Sequence, residues 1–331
     1  MTSDVTSSLP LTIAIATYGH TAALKDGTVP IEGFAPQFIE VKPIIAAFRR
    51  MVREVEFDVC EMAPATYMIA RAAGAPFKAL PISIFRRFHH GGFVARRDAG
   101  ILAPKDLEGN RAGVRAWSVT TGIWTRGILS DDYDVDLSKI TWFVDDEEHV
   151  ASLRLPENVE KVPDGKPLVE LLAEGYLSAA FTGNAGIGRA GAPTGDWRVV
   201  GDAEAPAYDE LFPDAPRLEV EWFRRTGAYP IHGVIVVKDS VLAEHPSVAL
   251  ALLEAFSASK LLYLRDLAAG ETDFGTDEHY RAMQRIVGAD PLPYGMRENR
   301  TSIDCLIRYC FEQGLLPRRF SADEMFVDPA G

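Results

Sequence analysis

Arg111-Ala112-Gly113-Val114-Arg115, followed by Ala116-Trp117-Ser118-Val119-Thr120-Thr121-Gly122, holds the unit from which the fold can be read. A short apolar run predicts a strand over Arg111–Arg115. Small hydroxyl residues come next, and Ser118 is placed to cap a helix running through Trp124 and Ile128. The same alternation recurs in both directions. Strands are expected at Leu11–Ala16, Gln37–Val41, Phe57–Cys60, Ala79–Ile84 and Phe93–Ala95, then at Ile140–Phe143, Ala179–Phe181 and Gly233–Val237. Helical patterns lie between them. Pro43 suits a first helical turn ahead of Ile44, Ile45, Phe48, Met51 and Val52. His245-Pro246 opens a long helix to about Leu267, and Ile303, Leu306, Ile307, Cys310 and Phe311 mark a last one stopped by Gly314. Strand–helix alternation implies the α/β class, with a mostly parallel sheet flanked by helices. Ligands of such sheets sit beyond the carboxyl ends of the strands, so the loops there are where function is sought.

Composition narrows the partners. The chain has 331 residues, with 34 Lys+Arg against 47 Asp+Glu, a formal net charge of −13. With 47% apolar and 24% charged residues it is globular, long enough for one to three domains. The acidic balance argues against nucleic acid and against an anionic membrane surface. A small anion remains acceptable where a helix end or a few cations hold it locally. No stretch of about 18 apolar residues suggests a membrane span. Cys60, Cys305 and Cys310 show no zinc-like spacing, and their odd number fits a reducing compartment. The N-terminal stretch has no Lys or Arg before Lys25 and only a short apolar run, unlike a secretion signal. A cytoplasmic location is therefore expected.

Several residues are candidates for chemistry. The turn Ser118 to Thr121 opens a helix, where free N–H groups and the helix dipole can cradle a carboxylate; an ordinary capped helix reads the same way. The turn Glu61-Met62-Ala63-Pro64-Ala65-Thr66 follows another strand, and Glu61 could accept a phenol proton. His20, His89, His90 and His232 all fall near strand ends, where imidazole serves as proton donor or as structural hydrogen-bonding group. His149, His245 and His279 sit among Asp and Glu and are expected to be solvated. Arg86-Arg87 and Arg224-Arg225 could clamp a carboxylate or lie on the surface. Tyr18, Trp117, Trp124 and Tyr229 could stack on a flat ring or fill the core. Gly186, Gly188 and Gly191 spell a G-x-G-x-x-G, but Ala192-Pro193-Thr194-Gly195 breaks the helix that a dinucleotide fingerprint needs.

Together these segments resemble the 4,5-dihydroxyphthalate decarboxylase family, which shares the fold of type II periplasmic binding proteins. The matching stretches include Glu56-Phe57-Asp58-Val59-Cys60-Glu61-Met62, Phe88-His89-His90, and Asp106 to Val114. Further matches are Trp124 to Leu129, Leu211-Phe212-Pro213-Asp214, Arg225 to His232, Pro293-Tyr294-Gly295 through Asn299-Arg300, and Gln313-Gly314-Leu315. Two places depart from the family. Tyr18-Gly19-His20-Thr21 stands where Tyr-Asp-Arg-Thr is usual, and Pro230-Ile231-His232-Gly233 where Pro-Ile-Met-His is usual. On a strand, that one-residue shift would turn the imidazole to the other face.

The resemblance implies a two-lobed α/β fold, each lobe a mostly parallel sheet flanked by helices, with the ligand in the cleft between lobes. Residues 1–95 with 226–331 would form lobe I and 96–225 lobe II. It further implies a lyase of aromatic compound catabolism, removing CO2 from a hydroxylated aromatic carboxylic acid after protonation of the ring carbon. His90 is the expected proton donor, with His20 and His232 contacting the ring hydroxyls. Ser118, Thr120 and Thr121 would cradle a carboxylate, with Arg126 or Arg87 as countercharge, and Tyr18, Glu61, Trp117 and Tyr229 would line the site. No cofactor is expected, although His20, His90 and His232 leave a divalent metal open. The partner would be a small aromatic carboxylate, and a homo-oligomer remains open. The alternative is a solute-binding protein or ligand sensor of the same fold that performs no chemistry.

Overall fold

The computed structural model describes residues 8–190, 198–200 and 207–329. In chain order the elements begin with β1 (Leu9–Ala14), α1 (Gly19–Lys25), β2 (Phe34–Phe38), α2 (Ile45–Glu54), β3 (Val59–Met62), α3 (Pro64–Ala72) and β4 (Phe77–Arg86). There follow β5 (Phe93–Arg96), β6 (Arg111–Gly113), α4 (Thr120–Tyr133), β7 (Thr141–Val144), β8 (Val159–Lys161), α5 (Leu168–Ala173) and β9 (Ala179–Phe181). Next come β10 (Arg189–Ala190), β11 (Arg198–Val199), β12 (Tyr208–Glu210), α6 (Ala215–Thr226) and β13 (Ile231–Lys238). The chain closes with α7 (Asp239–Glu244), α8 (Val248–Ala269), α9 (Asp277–Val287), α10 (Met296–Glu312) and α11 (Ala322–Met325).

These elements gather into two compact units, one of residues 1–87, 231–304 and 320–331, the other of 88–230 and 305–319. The first unit holds a sheet of order β2-β1-β3-β13-β4. β1 runs parallel to β2 and β3, while β13 is antiparallel to β3 and β4, so only β13 runs against the common direction. Central strands are covered on both faces and therefore read as largely apolar runs: Val59 to Met62, with Glu61 the one polar residue, and Val234 to Val237 are all buried. On one face Val59, Ile235 and Val237 share a core with Leu252, Phe256 and Tyr263 of α8 and Tyr280 of α9. Helix α1 comes so close to α8 that a Cβ on Gly19 would lie 2.1 Å from the Tyr263 ring. Only glycine fits there. β2 starts earlier than its apolar pattern suggested and contains Pro36, tolerated because β2 is an edge strand.

The second unit holds a sheet of order β12-β5-β9-β6-β7-β8. β6, β7, β8 and β9 are mutually parallel along their pairings, and β5 is antiparallel to both β9 and β12. Phe93, Trp142 and Phe181 stack in its interior. The α/β expectation of mostly parallel sheets flanked by helices is met in both units. The polar strands β8 and β12, both sheet edges, gave no apolar signal in the sequence. All three cysteines are free thiols. No helix among the described residues is long and apolar enough to cross a membrane. Of the G-x-G-x-x-G, Gly191 and the following Ala192 to Gly195 lie outside the described residues.

Candidate active site

In the first unit, the carboxyl ends of β1 and β3 bring Tyr18 and Glu61 together. The Tyr18 hydroxyl donates to Glu61 Oε1 at 2.7 Å, and the Ala16 N–H donates to Oε2 at 3.1 Å. Glu61 is 3% exposed. Burial pushes its carboxyl up from the ordinary range, against the opposing pull of those two hydrogen bonds. Burial, then the adjacent Glu61 charge, raises the Tyr18 phenol as well. Glu61 thus already receives a phenol proton's hydrogen bond, the contact that a hydroxylated ring would make.

The Tyr18 ring stacks on His20 at 5.3 Å, and His20 also meets the edge of Tyr280 at 5.8 Å. His20 is wholly buried; burial pushes its pKa down to about 3, so it is neutral at physiological pH. Tyr280 leads to Phe85, and Phe85 meets His232 edge-on at 5.7 Å. The pairing of β13 with β4 slips between Ile231 and Gly233, a bulge that re-aims His232. A simple alternation of faces, as expected from the sequence, therefore does not apply at this position. Burial first, then the positive charge of Arg87, pushes His232 well below the usual imidazole range. Arg87 also lowers His279, after the larger effect of burial. The first unit thus contains a buried carboxyl bonded to the Tyr18 phenol, a neutral imidazole and a cation that acts on it.

The second unit holds the remaining expected residues, in different roles. Helix α4 begins at Thr120 with Val119 at its cap position, so Ser118 does not cap it. Glu148 occupies the cradle: its Oε1 accepts from the Trp117 N–H at 2.6 Å and its Oε2 from the Ser118 N–H at 3.2 Å. Those two amides face an internal carboxylate. Thr120 and Thr121 are buried, and the Thr120 hydroxyl has no hydrogen-bond partner among the described residues. Arg126 is wholly buried, donating to Gln313 Oε1 at 2.8 Å and to the Trp117 carbonyl at 2.7 Å, with its guanidinium 3.5 Å over the Trp117 ring. It braces the interior. Tyr229 is also buried, packed on Phe88.

His90 is 1% exposed and lies edge-on to Phe212 and Trp222. Burial, then the charge of Arg225, brings its pKa down to about 4. Its Nδ1 has no hydrogen-bond partner among the described residues, and it lines a cavity of about 400 Å³ with Tyr133, Trp222 and the Arg225–Asp132 ion pair. His89 stacks on Trp124. Two histidines expected to be solvated are not: His149 is buried, and His279 is half-buried, bonded through Nε2 to the Arg86 carbonyl oxygen at 2.7 Å. Among the described residues no group of three or more His, Cys, Asp or Glu is placed to hold a metal ion, so His20, His90 and His232 do not form such a site. Phe85, Glu148, His279 and Tyr280 had no local sequence signal, because each takes its meaning from a partner far along the chain.

No protein-family model matches the chain. A 4,5-dihydroxyphthalate decarboxylase from Comamonas testosteroni is 32% identical over 332 residues, covering 97% of each chain. The chain belongs to the 4,5-dihydroxyphthalate decarboxylase family. A second 4,5-dihydroxyphthalate decarboxylase, from Pseudomonas putida, is 33% identical over 185 residues, 54% of this chain and 71% of the relative. Solved structures place this family member in the periplasmic-binding-protein fold. The aliphatic sulphonate binding protein SsuA of Escherichia coli matches with a TM-score of 0.53 at 10% identity, over 97% of this chain and 92% of its own. A Candida albicans protein with the generic periplasmic binding protein fold gives 0.51 at 12% identity, over 96% and 93%. At such identities the likeness is one of fold alone.

Proposed function

We propose that this chain is a non-oxidative carboxy-lyase that removes CO2 from a hydroxylated aromatic carboxylic acid of the dihydroxyphthalate kind. The observation that carries the reading is the 32% identity to a named decarboxylase along 97% of both chains. The site chemistry agrees with it. An aryl carboxylate does not lose CO2 until the carbon bearing it has been protonated, and a deprotonated ring hydroxyl makes that protonation feasible. Glu61, already the acceptor of a phenol hydrogen bond, takes the ring hydroxyl's proton. Arg87 binds the carboxylate as countercharge. Burial is the larger cause that holds His232 neutral and the Arg87 charge the smaller, so a carboxylate seated on Arg87 offsets the smaller one and raises the affinity of the imidazole for a proton. The imidazolium then delivers that proton to the ring carbon. The carbon–carboxylate bond breaks, its electron pair restores the aromatic ring, and CO2 leaves. Glu61 returns its proton to the product oxygen, so the net reaction consumes one proton.

The donor role is assigned to His232 rather than His90, because His232 lies in the same unit as Glu61 and Arg87, whereas His90, which feels Arg225 in the same way, lies in the other. The test is CO2 release from a panel of hydroxybenzoates and hydroxyphthalates, with and without chelator, by the intact protein and by His232→Gln and His90→Gln. Loss of a positioned acid lowers turnover about 10²–10⁴-fold, expected for His232→Gln alone. Ligand binding with no CO2 from any member would make the protein a binder instead. Full loss in His90→Gln with activity retained in His232→Gln would return the donor role to His90.

A further inference from the structure

The carboxyl end of β4 is held from two sides. On one side His279 of α9 binds the Arg86 carbonyl oxygen at 2.7 Å. A carbonyl has no proton to give, so Nε2 is the protonated nitrogen and donates. The same imidazole stacks on Phe85 at 5.3 Å with an interplanar angle of 23°. Phe85 in turn carries the edge contact to His232. On the other side the buried Arg86 guanidinium donates to Asn299 Oδ1 at 2.9 Å and to Ser302 Oγ at 3.1 Å, both on α10. The Asn299 amide donates to the Pro293 and Gly295 carbonyls at 3.0 and 2.8 Å, and the Gly295 N–H donates to the Pro81 carbonyl at 2.9 Å. The ring of bonds therefore closes back on β4.

The peptide group whose carbonyl His279 grips is the one that carries the Arg87 N–H. His279 thus touches the backbone of the proposed countercharge and, through Phe85, the face presented to the proposed proton donor. We propose that His279 is a positioning residue that fixes Arg87 and His232 relative to one another, so that carboxylate and proton meet at one ring carbon. The inference rests on the roles given to Arg87 and His232 above. A misplacement of about 1 Å at a reacting group can cost about 10²-fold in rate, which sets the scale of the expected effect.

Three variants test it. His279→Leu removes both the donor and the stack, His279→Gln keeps an N–H donor, and Phe85→Leu removes the relay to His232. Two readouts are taken: kcat and KM for CO2 release, and the titration of the His232 imidazole by NMR. Expected are a fall in kcat/KM of about 10²-fold for His279→Leu, borne mainly by kcat, and a rise of the His232 pKa as Arg87 loses its fixed place. His279→Gln should recover most of both. Unchanged kinetics and an unchanged His232 titration in His279→Leu would overturn the proposal, as would a His279→Gln variant as impaired as the leucine. If His279→Leu fails to fold, His279→Ala takes its place: a raised His232 pKa with a lowered kcat supports the proposal, and an unchanged titration overturns it. If the intact protein releases no CO2, the proposed reaction fails, while the His232 titration still judges the role of His279.

Discussion

Replacing Glu61 by glutamine separates what this carboxyl does for the reaction from what it costs the fold. Glu61 accepts two hydrogen bonds, from the Tyr18 hydroxyl and the Ala16 N–H, at 3% exposure. An amide offers one acceptor oxygen, so one of these donors meets an NH2 group; a buried unsatisfied donor costs about 1–3 kcal/mol. At low pH Glu61 is protonated and itself carries an O–H, so the two proteins differ there by at most this amount. The dependence on pH follows from burial. The folded-state pKa lies above the ordinary 4.5, so the stability Glu61 contributes is complete below 4.5 and is lost as pH rises through the folded value. Glutamine has no such loss. Glu61→Gln should be no more stable than the original at pH 4 and should gain on it as pH rises from 4.5 through the folded value. Turnover should meanwhile fall about 10²–10⁴-fold if the residue handles the phenol proton. Urea unfolding followed by tryptophan fluorescence across pH 4–8, beside a CO2 assay, measures both. A stability gap that stays constant or widens with pH, or full turnover in the variant, would refute the reasoning.

Other perturbations read other parts of the molecule. Gly127→Ala places a Cβ about where the Tyr309 ring lies, 2.3 Å from its nearest atom, and Tyr309 is tied to Asp131 at 2.9 Å. Overpacking of this kind costs about 1–3 kcal/mol, a fall of several degrees in Tm at about 2–4 °C per kcal/mol. Asp145→Asn should stabilise above pH 6: burial raises the aspartate to about 6, so its contribution, complete below 3.8, disappears as pH climbs through that value. Thermal unfolding at pH 4 and pH 8 should show the gain only at the higher pH. Arg126→Met leaves Gln313 Oε1 and the Trp117 carbonyl without their donor. At about 1–3 kcal/mol each the loss is about 2–6 kcal/mol, with turnover per folded molecule unchanged; a selective rise in KM would instead make Arg126 a substrate countercharge.

The elements that could be read from the sequence are those whose signal is local. Val234 to Val237 is apolar throughout, and Val59 to Met62 apart from Glu61, because both sheet faces are covered, and the run from Ile303 to Phe311 keeps helical spacing up to Gly314, whose φ of +74° ends the pattern. Tyr18 and Glu61 were legible as strand-end residues, and the structure joins them across 43 positions of chain. Roles set by distant partners were not legible. Ser118 looks like a helix cap, but Glu148, thirty residues on, satisfies its amide. His279 follows Asp277 and Glu278 and so reads as solvated, yet helical geometry turns it onto Phe85. The one-residue displacement of His232 reads as a change of face, and the bulge that alters this is a property of the pairing with β4. Arg126 has the charge of a ligand clamp, and only its burial under Trp117 tells otherwise.

The carboxylate of Glu148 behaves as a tethered anion. Folding presents it to the Trp117 and Ser118 amides at an effective concentration of about millimolar or more, whatever the solution contains. A free carboxylate, sulfate or phosphate must outcompete a rival that never diffuses away. In this chain those two amides, just ahead of α4, are therefore already occupied when a free anion arrives. A single change, Glu148→Ala, would leave those two amides open to anions from solution.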